Sequence, residues 1–152
     1  MKLELKAKLL RTFPKAKTIQ SGRLFTRQLS RLIDSSLISL FQSLDLQYSL
    51  SGHLALIPIG GYGRMEIAPY SDIDLLYLHD GKLAESVLTN VISSINNFLY
   101  NNGREVGHAC RTIRESFNSI DNIQSYHAIL DSRFLIGSYY FCLLYTSDAA
   151  DE

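Results

Sequence analysis

Residues 56–80 read Leu-Ile-Pro-Ile-Gly-Gly-Tyr-Gly-Arg-Met-Glu-Ile-Ala-Pro-Tyr-Ser-Asp-Ile-Asp-Leu-Leu-Tyr-Leu-His-Asp, and the fold turns on them. An apolar strand, Leu54 to Ile59, runs into a glycine-rich turn at Gly60, Gly61 and Gly63. Asp72-Ile73-Asp74 then opens a second apolar strand, Leu75 to Leu78. Side chains alternate along a strand, so Asp72 and Asp74 project to one face, about 7 Å apart. Two carboxylates beside a glycine turn suit a divalent cation that also holds a triphosphate. Glycines let the backbone approach phosphate oxygens, and a helix after them would aim its free N–H groups the same way.

Upstream, Leu24, Phe25, Leu29, Leu32, Ile33, Leu37, Leu40 and Phe41 follow the helical period, which predicts a helix from about Gly22 to Leu44. Ser43 to His53 reads as a polar connector, and the strand at Leu54 to Ile59 is too apolar on both faces for an edge. Met65 to Ala68 is predicted as one helical turn, stopped by Pro69. Downstream, Val87, Leu88, Val91, Ile92, Ile95, Phe98 and Leu99 make Ala84 to Tyr100 an amphipathic helix, ended by Asn101-Asn102-Gly103. Val106 to Thr112 reads as a third strand. Helices are predicted over Ile113 to Ile120, from Ile123 onward, and in the apolar run from Leu135 to Tyr145. This order specifies a small α/β domain of the α+β type, a mixed sheet covered by helices.

The 152 residues fit one domain, and 46% hydrophobic with 20% charged residues describe an ordinary globular protein. A net charge of +0 argues against a nucleic-acid surface built on bulk positive charge. The charge is uneven: Lys2, Lys6, Lys8, Arg11, Lys15, Lys17, Arg23, Arg27 and Arg31 precede position 32, against Glu4 alone. A transit peptide or a membrane-surface helix has such a composition. Pro14 interrupts any continuous amphipathic helix there, so residues 1–21 read as a solvated basic lead-in. No apolar run approaches the length of a membrane span, and a cytoplasmic location with no membrane partner is expected. Cys110 and Cys142 lie in apolar contexts and are expected to be buried free thiols.

The stretch Gly60-Gly-Tyr-Gly-Arg-x-Glu-x-x-Pro-Tyr-Ser-Asp-Ile-Asp-Leu-Leu76 resembles the polymerase-β-like nucleotidyltransferase superfamily. Within it, the stretch looks like the uridylyltransferase domain that modifies the PII nitrogen-signalling protein. Gly22 to Phe41 is similar to that family's leading helix. Glu105-Val-Gly-His-Ala-Cys-Arg-Thr112 and Leu130-Asp-Ser-Arg-Phe-Leu-Ile-Gly137 are similar to two later blocks. The resemblance implies a polymerase-β-like fold, UTP as donor, a tyrosine of PII as acceptor, and Mg²⁺ or Mn²⁺ as cofactor. It also implies phosphohydrolase and regulatory domains further on. Cys142 to Glu152 is similar to translated sequencing-adapter read-through. Residues 22–141 are therefore expected to be a C-terminally truncated nucleotidyltransferase domain and 142–152 a non-native tail, with a short acidic tail as the alternative.

The resemblance makes Asp72 and Asp74 the metal-binding catalytic pair, and Gly60, Gly61, Gly63, Arg64, Ser71 and Arg111 nucleotide-binding. Other readings stand beside these. The glycines could form only a tight turn, Arg64 could pair with Glu66, and Ser71 could cap the turn. On the third strand, alternation groups Gly107, Ala109 and Arg111 on one face, with Val106, His108 and Cys110 on the other. Ala109 stands where many relatives carry a third metal carboxylate, and Glu105 is the candidate substitute. His108 reads as a core histidine, and Asp131 with Arg133 as an ion pair. Two rival functions remain: a nucleotide-sensing module without catalysis, and a superfamily transferase acting on a small molecule or another protein.

Overall fold

A computed structural model describes residues 19–68, 70–118 and 130–147 of the chain. Most of the basic lead-in, the proline stop at Pro69, the predicted helix from Ile123 and the last five residues of the expected tail lie outside the described residues. The elements are α1 (Ile19–Tyr48), β1 (Leu54–Pro58), the single turn α2 (Gly60–Gly63), β2 (Ile73–His79), α3 (Glu85–Asn101), β3 (Val106–Thr112), α4 (Ile113–Asn118), β4 (Ile136–Gly137) and α5 (Tyr139–Ser147).

The four strands form one mixed sheet in the order β3-β2-β1-β4. β2 runs antiparallel to β1 and parallel to β3, and β4 runs antiparallel to β1. As the apolar sequence required, β1 is interior and buried throughout. One face carries Leu54, Leu56, Ile73, Leu75 and Tyr77 and packs against α1 (Leu29, Ile33, Leu37, Phe41) and α3 (Val91, Ile95, Leu99). The reverse face carries Ala55, Ile57, Leu76 and Leu78 and packs against Phe141 and Cys142 of α5, with Ile113 and Phe134 beside them. The mixed α/β sheet with covering helices is thus the architecture the sequence specified. Helix α5 continues through position 142, and the Cys142 side chain is buried.

Several expectations need correction. The helical turn falls on the glycines and not on Met65 to Ala68: Gly63 N–H donates to Ile59 O (3.0 Å) and Arg64 N–H to Gly60 O (3.1 Å). Met65 follows at φ 59°, which ends the turn at once. Leu24 is exposed, because the buried stripe of α1 begins only at Leu29. His108 and Cys110 are exposed too, since β3 is a sheet edge and its face lies at the margin of the helix layer. The His108 Nδ1 is paired with Asn96 Nδ2 at 3.1 Å. Asp131 and Arg133 do not pair with each other; each meets a residue far away in sequence.

Candidate functional site

The carboxylate of Asp74 is where the separate elements converge. Position 74 is the one half-buried residue of β2; the other six are buried. Its backbone carbonyl accepts from Ile59 N–H (3.1 Å), which brings the glycine turn against the start of β2. In the parallel ladder Asp74 stands opposite Gly107. A Cβ on Gly107 would run into Asp74 Oδ1, and one on Gly60 would come within 3.2 Å of Oδ2. Two glycines therefore leave room for the two carboxylate oxygens. Gly60 is favoured twice over, because its φ of +59° is also a left-handed conformation that residues with a side chain rarely adopt. Gly107 belongs to this cradle and was not among the residues picked out for the site, although strand alternation had already placed it on the same face.

Asp72 is exposed, immediately ahead of β2. Burial, and next the charge of Asp72, push the Asp74 carboxyl above the usual aspartate range. A half-buried acid beside a second acid is an arrangement that a cation would relieve.

A second network holds the glycine turn in place. Tyr62 sits inside the turn, fully buried, and its hydroxyl donates to Asp34 Oδ1 of α1 (2.6 Å). Arg133 Nη2 donates to the same oxygen (2.6 Å), and its guanidinium lies 5.0 Å from the centre of the Tyr62 ring. Burial, then the Asp34 charge, raises the Tyr62 phenol well above its ordinary range, so it remains a donor. The backbone follows the same path: Arg133 N–H donates to Pro58 O (3.0 Å), and a Cβ on Gly63 would collide with Asp131 O. Gly63 is thus required by close packing. One sequence signal for this network was a single acid, Asp34, beside the apolar stripe of α1.

The remaining expected site residues are spread around this centre. Gly61 borders open space where a Cβ would stand, so only its backbone can matter there. Arg64 is exposed and its Nε donates to Glu66 Oε2 (3.0 Å), while Nη1 meets Asp131. Ser71 is exposed in a turn, its N–H donating to Ala68 O (3.1 Å). Arg111 stands opposite Leu78, four residues along β3 from Gly107. That spacing is about 13 Å of strand, so the Arg111 backbone shares the face well along β3 from the Asp74 position. Ala109, opposite Leu76, packs into the apolar cluster. Among the described residues, no three His, Cys, Asp or Glu side chains gather in a metal-binding group.

The donor set nevertheless fits a hard divalent cation. Mg²⁺ commonly takes one or two carboxylates from a protein and completes its shell with water and phosphate oxygens. Asp72 and Asp74 would supply those carboxylates, and the cradle leaves both Asp74 oxygens clear of side-chain carbon.

Sheet, glycine turn and carboxylate pair together define a nucleotidyltransferase-like α/β domain. No family model matches the chain. Curated relatives do match. It is 38% identical over 85 residues (55% of this chain) to the bifunctional uridylyltransferase/uridylyl-removing enzyme of Nitrosococcus oceani, and 38% over 106 residues (70%) to that of Psychrobacter sp.. To the enzyme of Nitrosospira multiformis it is 31% identical over 125 residues (78%). The chain is therefore a homologue of bifunctional uridylyltransferase/uridylyl-removing enzymes, and these matches span 9% to 14% of the relatives' own lengths. A solved toxin–antitoxin structure with AMP-PNP is a remote likeness, with a TM-score of 0.48 and 14% identity over 74% of this chain and 83% of that one.

Proposed function

We propose that this chain carries a metal-dependent nucleotidyltransferase centre that transfers UMP from UTP to a tyrosine hydroxyl of a PII-type signalling protein in the cytoplasm. The observation that carries the reading is the Asp74 carboxylate, held between Gly60 and Gly107 with Asp72 beside it. The uridylyltransferase names of the relatives support the donor, and the motif resemblance supports the acceptor.

Asp72 and Asp74 would hold Mg²⁺ or Mn²⁺ together with the nucleotide phosphates. Held there, such an ion would polarise the α-phosphate and offset charge on the pyrophosphate as it leaves. The chain's own part is positioning. The buried Tyr62–Asp34–Arg133 network fixes the turn, so the backbone N–H groups of Gly60 and Gly61 stand where no intrahelical acceptor can take them. Preorganised donors of that kind stabilise developing charge without reorganising during the reaction.

One observation favours the sensing module as the rival: Ala109 sits in the apolar cluster, and no third carboxylate joins the pair among the described residues. Incubation with α-labelled UTP, Mn²⁺ and a PII-type acceptor separates the readings. Label on an acceptor tyrosine, lost in Asp72→Asn, supports transfer. UTP binding without label in either protein would establish sensing. Pyrophosphate release only with a different acceptor would move the assignment to the small-molecule transferases.

A further inference from the structure

Tyr70 is the most exposed of the large hydrophobic residues in the described part of the chain, at 94%. A tyrosine in that state contributes nothing to a core. Four other tyrosines are engaged in the structure. Tyr62 and Tyr77 are buried with their hydroxyls donating to Asp34 and Asn96. Tyr100 reaches Val106 O, and Tyr139 packs edge-on against Phe134. Tyr70 instead stands at the corner of the 68–71 turn, two residues before Asp72. Two residues span at most about 7 Å of backbone. The Tyr70 backbone is therefore tethered close to that of Asp72, on the loop that joins the glycine turn to β2, with its phenol open to solvent.

We infer that Tyr70 is an acceptor in its own right: the chain transfers a nucleotidyl group to it within the same molecule. The inference rests on the nucleotidyltransfer reading above and adds to it a modification site. The Tyr70 phenolic oxygen attacks the α-phosphorus of UTP. The new bond is a tyrosyl O–P phosphodiester, the bond that breaks joins the α-phosphorus to the α–β bridging oxygen, and pyrophosphate leaves with that oxygen. The phenolic proton passes to water, to which this side chain is fully open. UTP supplies the transferred group, so no further co-reactant is needed. The chemistry asked of the site is the same as for an external tyrosine. The tether replaces the encounter with a second protein by an effectively unimolecular step.

The test is to incubate the whole chain with UTP and Mn²⁺ without any acceptor protein, then map the modification by peptide mass spectrometry. One UMP is expected on the Met65–Lys82 tryptic peptide, localised to Tyr70 and not to Tyr77. Tyr70→Phe should lose the modification while retaining its calorimetric affinity for Mn²⁺–UTP, and Asp74→Asn should lose both. Asp74→Asn mixed with active Tyr70→Phe should remain unlabelled. Absence of UMP on the chain overturns the inference, as does label on Tyr100, Tyr139 or Tyr140, or label on the Asp74→Asn partner in the mixture. If a PII-type acceptor is labelled while Tyr70 is not, only this inference fails. If neither is labelled, the transferase reading fails with it.

Discussion

Replacing Gly107 by alanine puts a methyl group where Asp74 Oδ1 now lies, and the consequences can be worked from the geometry. Clearing the methyl to an ordinary contact moves the carboxylate by about 1 Å, and a misplacement of that size costs on the order of 100-fold in rate. Folding pays less. Forcing the Asp74 side chain off its rotamer costs about 1 kcal/mol, which lowers Tm by roughly 2–4 °C for a chain of this size. The two effects are separable by pairing a thermal melt with the rate of label transfer from α-labelled UTP. Gly52→Ala, outside the candidate site, is the matched control, because open space surrounds its Cβ position and its φ is not in the left-handed region. It should melt and react like the wild type. Native transfer by a folded Gly107→Ala protein would refute the claim that the Asp74 carboxylate acts from this cradle.

Two further outcomes follow from the interior. Asp34→Ala leaves Tyr62 and Arg133 without their shared acceptor, and urea denaturation should find a loss of about 2–3 kcal/mol. Adding Arg133→Met to Asp34→Ala should recover part of it. The Asp74 carboxyl, raised above the ordinary aspartate value of 3.8 by burial and by Asp72, makes a signed prediction. Between pH 3.8 and the raised folded value the folded state holds the extra proton, so stability from this group falls as pH rises through that window. Asp74→Asn should therefore raise Tm at neutral pH and make little difference below pH 3.8, as measured by melts across a pH series.

What the sequence carried and what it hid divide along physical lines. Helix α3 was legible almost to the residue, since its apolar spacing and the Asn-Asn-Gly terminator are both local; Gly103 indeed adopts φ +73°. The interior place of β1 was legible because a strand apolar on both faces has no solvent side to offer. Asp74 and Gly60 were legible as a motif, although the reason Gly60 must be glycine includes the carboxylate beside it. The exposure of His108 and Cys110 was hidden, because alternation assigns a residue to a face but does not say which strand forms the edge. The Arg133–Asp34 pair was hidden for a different reason. Its members are 99 positions apart, and no periodicity connects them. The helical turn expected at Met65 to Ala68 lies on the glycines instead, because the Ile59 and Gly60 carbonyls accept from Gly63 and Arg64 and Met65 at φ 59° ends the turn there.

Calorimetric titration of the chain with Mn²⁺–UTP, beside Asp72→Asn and Asp74→Asn, tests the central claim most directly. The wild type should bind, and each substitution should weaken binding by at least about 100-fold, or roughly 2.7 kcal/mol, without lowering the Tm of the protein. Equal affinities in all three proteins would contradict the account, because the paired carboxylates at the head of β2 would then hold neither the metal nor the nucleotide.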